Sequence, residues 1–148
     1  MLKFTGTKAN AMLATEHIAQ QPAQRQQLLS DIHAIIIAGD KTVSAVVELM
    51  MGKDMIIYKV GGMMKYGLAS VKKYMSLHVL PMYMAPNIYD KFKALLPDAI
   101  FQKGCINFSL ADEMPADIIK LLIGDCAAID LLKIREDQLQ ARKKAKQK

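Results

Sequence analysis

Tryptophan is absent from this chain, cysteine occurs twice, and aromatic residues make up only 6% of it. Two cysteines, Cys105 and Cys126, cannot build a disulfide framework. No apolar run approaches the roughly 20 residues needed to span a bilayer. Nor does any N-terminal segment join a basic start to an apolar stretch of about 7–15 residues, as a signal peptide requires. The expectation is a cytoplasmic chain with both thiols free and no membrane partner. Asn107-Phe-Ser109 matches the glycosylation sequon, which carries no meaning in that compartment.

Catalytic and cofactor motifs are missing too. There is no phosphate loop, no Gly-x-Gly-x-x-Gly, no Gly-x-Ser-x-Gly elbow, no His-Glu-x-x-His and no Cys-x-x-Cys. An enzyme therefore has no positive support in the residues.

What is present fits a single globular domain of 148 residues, 52% hydrophobic and 23% charged. Eleven methionines serve either as adaptable core filler or as an apolar surface able to re-pack around a ligand or a second copy of the chain. The net charge of +6 is unevenly placed. Residues 133–148 carry seven basic groups against Glu136 and Asp137, whereas the other 132 residues hold 13 basic and 12 acidic groups. The body is nearly neutral and the basic character belongs to the tail, so no nucleic-acid partner is expected.

The periodicity runs from helix to strand and back. Residues 1–8 show none and are expected to fray. Ala9 to Gln20 suits a short helix. Leu28, Leu29, Ile32, Ile35 and Ile36 recur at helical spacing between Ala23 and Ala38, with Gly39 as a stop and His33 beside the stripe. Lys41 to Met51 mixes strand-forming valines with helical spacing and is read as a short helix leading into an extended piece. Met55 to Val60 and Met63 to Val71 are strands about a Gly61-Gly62 hairpin. Lys73 to Leu80 is the clearest strand, ended by Pro81. Met84 to Leu96 is a helix, and Lys103 to Leu110 a further strand. Pro115 to about Ile134 is the last packed helix, and 135–148 a basic helical or disordered tail. The fold expected is α+β: an antiparallel sheet of four to five strands with helices on one face.

Strand parity sorts the side chains. Met64, Tyr66 and Leu68, with Met75, Leu77, Val79, Ile106 and Phe108, fall on the core side. Lys65, Gly67 and Ala69 fall on the other, with Tyr74, Ser76, His78, Cys105 and Asn107. That semi-polar face is the candidate ligand surface. Its residues are Lys65, Tyr74, Ser76, His78, Lys103, Cys105 and Asn107. His78 and Cys105 are expected to approach each other, as a nucleophile pair or half a soft-metal site would. Two ligands alone make no zinc site. Lys59, Lys65, Lys72, Lys73 and Lys103 could gather at the strand ends to meet an anion.

Met55-Ile-Ile-Tyr-Lys-Val60, the run Gly67 to Leu80 with Ser76-Leu77-His78, and Lys103-Gly-Cys-Ile-Asn-Phe108 followed by Pro115 together resemble the YdhG-like domain family. The resemblance spans roughly residues 23–133. It implies a compact bacterial α+β domain of largely unknown function, some members having been likened to frataxin-type iron chaperones. Where that family has a Trp-Gly-x-Pro-like turn, this chain has Met50-Met-Gly-Lys-Asp54. An iron surface needs clustered carboxylates. Asp90, Asp98, Asp112, Glu113 and Asp117 are the ones a fold would have to gather. The function expected is a small cytosolic module binding an unknown small molecule or protein at the face around His78. Iron handling and a Cys–His enzyme are the alternatives, and no cofactor is called for otherwise.

Overall fold

A computed structural model describes residues 12–147, so the expected fraying of 1–8 and positions 9–11 of the first helix lie outside the described residues. The first helices are α1 (Ala14–Ala19) and α2 (Ala23–Gly39). Four strands follow: β1 (Ser44–Met50), β2 (Lys53–Val60), β3 (Met63–Ser70) and β4 (Met75–Val79). Then come α3 (Leu80–Met84), α4 (Pro86–Leu95), β5 (Ile100–Gln102), β6 (Cys105–Phe108), α5 (Ala116–Ala127) and α6 (Leu131–Gln147). The fold is α+β. Its sheet is antiparallel throughout, in the order β1-β2-β3-β4-β6-β5.

Six strands replace the four to five expected. The whole of Ser44–Met50 is a strand, paired residue for residue with β2. Its helical spacing was accidental: Val43, Ala45 and Val47 alternate onto the core. The second addition is β5, which is only three residues long and therefore too short to show a period. Lys103-Gly104 is accordingly the hairpin turn between β5 and β6, and not the start of a strand. One unexpected helix, α3, appears, and one expected helix is divided. Pro86 opens α4 afresh after α3. Asp130 accepts the Lys133 amide at 3.0 Å and so starts α6 as a separate helix.

One face of the sheet carries the core. Ile56, Tyr58, Tyr66, Leu68, Met75, Leu77, Val79, Ile106 and Phe108 pack against Leu29, Ile32 and Ile36 of α2, Phe92 of α4, and Ile119, Leu122 and Ile123 of α5. Gly39, expected as a helix stop, is the last residue of α2 and also a close-approach site. A Cβ there would lie 2.9 Å from Ile123 Cγ2, so only glycine lets α2 and α5 come this near.

Two of the tight hairpins, β2–β3 and β1–β2, have left-handed turn residues. Gly61 and Gly62 have φ of 55° and 79°, and Met51 and Gly52 have φ of 53° and 82°. This is the two-residue turn whose twist matches the strands. Glycine meets that need freely, whereas an exposed methionine at Met51 pays a steric cost. Met51→Asn is expected to raise stability by ~1 kcal/mol. Urea denaturation should show a higher midpoint at an unchanged slope.

Candidate functional site

A β-bulge decides what reaches each face. Tyr58 pairs with Tyr66 and Lys59 with Met64, which leaves Lys65 as an extra residue on β3. The alternation is interrupted there. Met64 falls with Met55, Ile57 and Ala69 on the second face, away from Tyr66 and Leu68. Lys65 goes the other way. Its Nζ lies 2.8 Å from Asp40 Oδ2, and both side chains are buried (2% and 1% exposed). The expected place of Lys65 on the semi-polar face, and of Met64 on the core side, is thus corrected.

Asp40 sits just past the end of α2 and collects donors from three directions. Tyr66 Oη donates to Oδ2 at 2.7 Å, while Thr42 donates to Oδ1 through its hydroxyl (2.6 Å) and its amide (3.0 Å). Burial works against the carboxylate's charge, but the bonds from Lys65, Thr42 and Tyr66 prevail and hold its pKa below the usual range. Burial, reinforced by Asp40, pushes the Tyr66 phenol well above its ordinary value. Cys126 on α5 is likewise raised to about 12, by burial first and with Lys65 opposing. A thiol held protonated in this way is a packing group and no nucleophile. Tyr58 meets Tyr66 edge to face, and its hydroxyl lies 2.7 Å from His33 Nδ1.

The second face is not uniformly semi-polar. Its β2–β3 part is apolar and buried: Met55, Ile57 and Ala69 cluster with Met50 and Met64. The polar part is displaced toward β4, β6 and β5. There the register sets Gly67, His78, Cys105 and Gln102 in one row across four strands, and Ser76, Asn107 and Ile100 in the next. The expected His78–Cys105 approach is a direct cross-strand pairing. The Cys105 thiol, however, donates to Gln102 Oε1 at 3.4 Å. Burial lowers the His78 pKa and keeps the imidazole neutral near pH 7. Ser76 and Asn107 are buried, with the Ser76 hydroxyl donating to Asn107 Oδ1 at 2.8 Å.

A cavity of about 360 Å³ opens at the β4–β6–β5 end of this face, lined among others by Tyr74, Asn107, Gln102, Lys73, Asp98 and Glu113. Two of the seven predicted residues, Tyr74 and Asn107, therefore meet there. Lys103 lies apart, in an apolar hollow of about 340 Å³ with Tyr83 and Tyr89. Gln102 has no signal in the sequence because the strand carrying it is too short to read, while Asp98 and Lys73 are expected only as a candidate iron carboxylate and a candidate anion-binding lysine. Glu113 is occupied in part, accepting the Ser109 and Leu110 amides at 2.7 and 3.1 Å. Among the described residues Lys73 and Asp98 take part in no ion pair.

The five lysines expected to gather do not: Lys59 pairs with Glu48 at 2.9 Å, Lys65 is buried, and Lys72, Lys73 and Lys103 line three different cavities. Asp98 and Glu113 share a cavity, but no three His, Cys, Asp or Glu side chains come together to hold a metal among the described residues. Nor, among those residues, is any helix long and apolar enough to cross a membrane.

Fold and site together define a small α+β protein with a mixed-charge cavity at one end of its sheet. No family model, curated protein or solved structure matches the chain.

Two predictions follow from the buried groups. Lys65→Met leaves a buried carboxylate without its cation and should cost ~3–5 kcal/mol. Adding Asp40→Asn should recover at least half of that in chemical denaturation. His17, His33 and His78 all have pKa values lowered, in each case chiefly by burial. The unfolded chain then binds more protons below its own histidine pKa of about 6.5, so stability is full above that pH and falls as the pH drops toward the folded values. Thermal melts between about pH 7.5 and 5 should show this decline, and His78→Gln should make it shallower.

Proposed function

We propose that this protein is a small binding module, without catalytic chemistry of its own, that takes a small polar molecule carrying both charges. The observation behind this reading is the cavity of about 360 Å³ at the β4–β6–β5 end of the sheet. It offers a cation, Lys73, and two carboxylates, Asp98 and the partly occupied Glu113, with the amides of Asn107 and Gln102 and the ring of Tyr74. Its size falls within the range of small-molecule sites. The side chains divide the work: the amides fix orientation, the ring supplies apolar area, and the opposite charges of Lys73 and Asp98 select a zwitterion over a plain anion or cation. His78 and Cys105 lie in the neighbouring row and shape the approach without completing a reactive pair. A cytoplasmic setting and kinship with the YdhG-like domains belong to the same proposal. They rest on the sequence motifs alone.

Titrating isotope-labelled protein with free amino acids tests it. Amide shifts should concentrate on Tyr74, Gln102 and Asn107, and Asp98→Asn should weaken binding about ten-fold. Absence of any saturable shift on these residues up to ~10 mM would remove this reading.

A further inference from the structure

A second cavity, independent of the one above, lies where the start of α2 meets the β3–β4 turn. It measures about 490 Å³ and is lined by Arg25, Lys53 and Lys72, with Gln21, Gln24 and Ser70. Three cations and no carboxylate line it among the described residues. Three features make this more than a chance meeting of exposed lysines.

The first is that Arg25 is fixed in place. Its Nη1 donates to Ser70 Oγ at 2.8 Å and to the Val71 carbonyl at 2.5 Å, with a longer contact to the Tyr74 carbonyl. Its Nη2 donates to the Lys72 carbonyl at 3.3 Å. Of the five N–H donors on a guanidinium, Nε–H and one Nη2–H have no described partner. A neutral carbonyl accepts a hydrogen bond without cancelling the charge, so the cation is anchored but not neutralised.

Second, among the described residues none of Arg25, Lys53 and Lys72 takes part in an ion pair. Third, α2 begins at this cavity with no side-chain N-cap and no acidic residue in its first turn. The end of a 17-residue helix therefore adds its own partial positive charge with nothing to offset it. A sequence folding for stability alone would place an Asp or Ser here.

We infer that this cavity binds the phosphate group of a small phosphorylated molecule. Arg25 presents its remaining donors to the phosphate oxygens, and Lys53 and Lys72 balance the charge from either side. A volume of about 490 Å³ leaves room for the remainder of the molecule.

Pyrophosphate titrated into the full-length protein by calorimetry is the test. One-to-one binding with Kd at or below ~1 mM is expected, weakening as salt is raised. The double variant Lys53→Gln/Lys72→Gln should weaken it at least about ten-fold. These two side chains are exposed, so folding should be retained, which circular dichroism would verify. Lys143→Gln/Lys144→Gln removes the same charge from α6 and should leave binding unchanged. No saturable binding, or equal losses in the two double variants, would overturn the assignment. So would preferential binding of a single-stranded oligonucleotide that survives Lys53→Gln/Lys72→Gln.

Discussion

The buried pair of Asp40 and Lys65 is the constraint around which the rest of the molecule is arranged. It joins the residue capping α2 to the bulged residue of a central strand, so the main helix and the sheet cannot slide independently. Desolvating two charges offsets most of what their attraction returns. The pair's value therefore lies in specificity: a register in which Asp40 misses Lys65 strands two charges in the core. The neighbouring bonds from Thr42 and Tyr66 complete the carboxylate's shell, and no buried side-chain polar atom among the described residues lacks a partner. Such a network either closes fully or costs more than an apolar core.

The bulge that serves this pair also shapes the opposite face. Turning Lys65 inward sends Met64 outward, where it joins Met55, Ile57 and Ala69. The β2–β3 half of that face becomes apolar as a result. Apart from the Lys59–Glu48 ion pair on β1 and β2, its polar groups come from β4, β6 and β5, which contribute Ser76, His78, Cys105, Asn107 and Gln102. Gly67 marks the boundary. A Cβ there would lie 2.5 Å from the Met55 methyl, so glycine lets a methionine cover the strand beside His78. A candidate cavity at the far end of the sheet, and not at its centre, follows from this division.

Much of this was legible in the residues, and the failures share a physical origin. Alternation over Met75–Val79 and Cys105–Phe108 assigned Leu77, Ile106 and Phe108 to the core, and His78, Cys105 and Asn107 to the other face, because those strands are regular. The same rule misplaced Lys65 and Met64, since one inserted residue reverses parity for everything on one side of it. Pairing is a long-range property, which is why the valines of β1 looked helical until β2 lay beside them. The short β5 has no period to read, and with it Gln102 went unseen. Asp40 drew no notice because nothing local distinguishes a buried carboxylate from a solvated turn residue.

The β3–β4 turn shows a conflict that stability alone does not explain. Lys72 and Lys73 are adjacent in sequence, and Arg25 brings a third positive charge to the same few carbonyls. Like charges this close repel, and an uncapped helix start adds to the field. One carboxylate in the first turn of α2 would relieve all of it at no steric cost, because Gln24 there is exposed. Where local choices agree with the fold nearly everywhere else, a concentrated disagreement is the mark of a site kept for something other than folding. The turn also separates the two cavities, with Lys72 on one and Lys73 with Tyr74 on the other. Arg25, holding the carbonyls of Val71, Lys72 and Tyr74, braces the wall between them. Its role is to keep both walls in place while the positive charge it carries stays available.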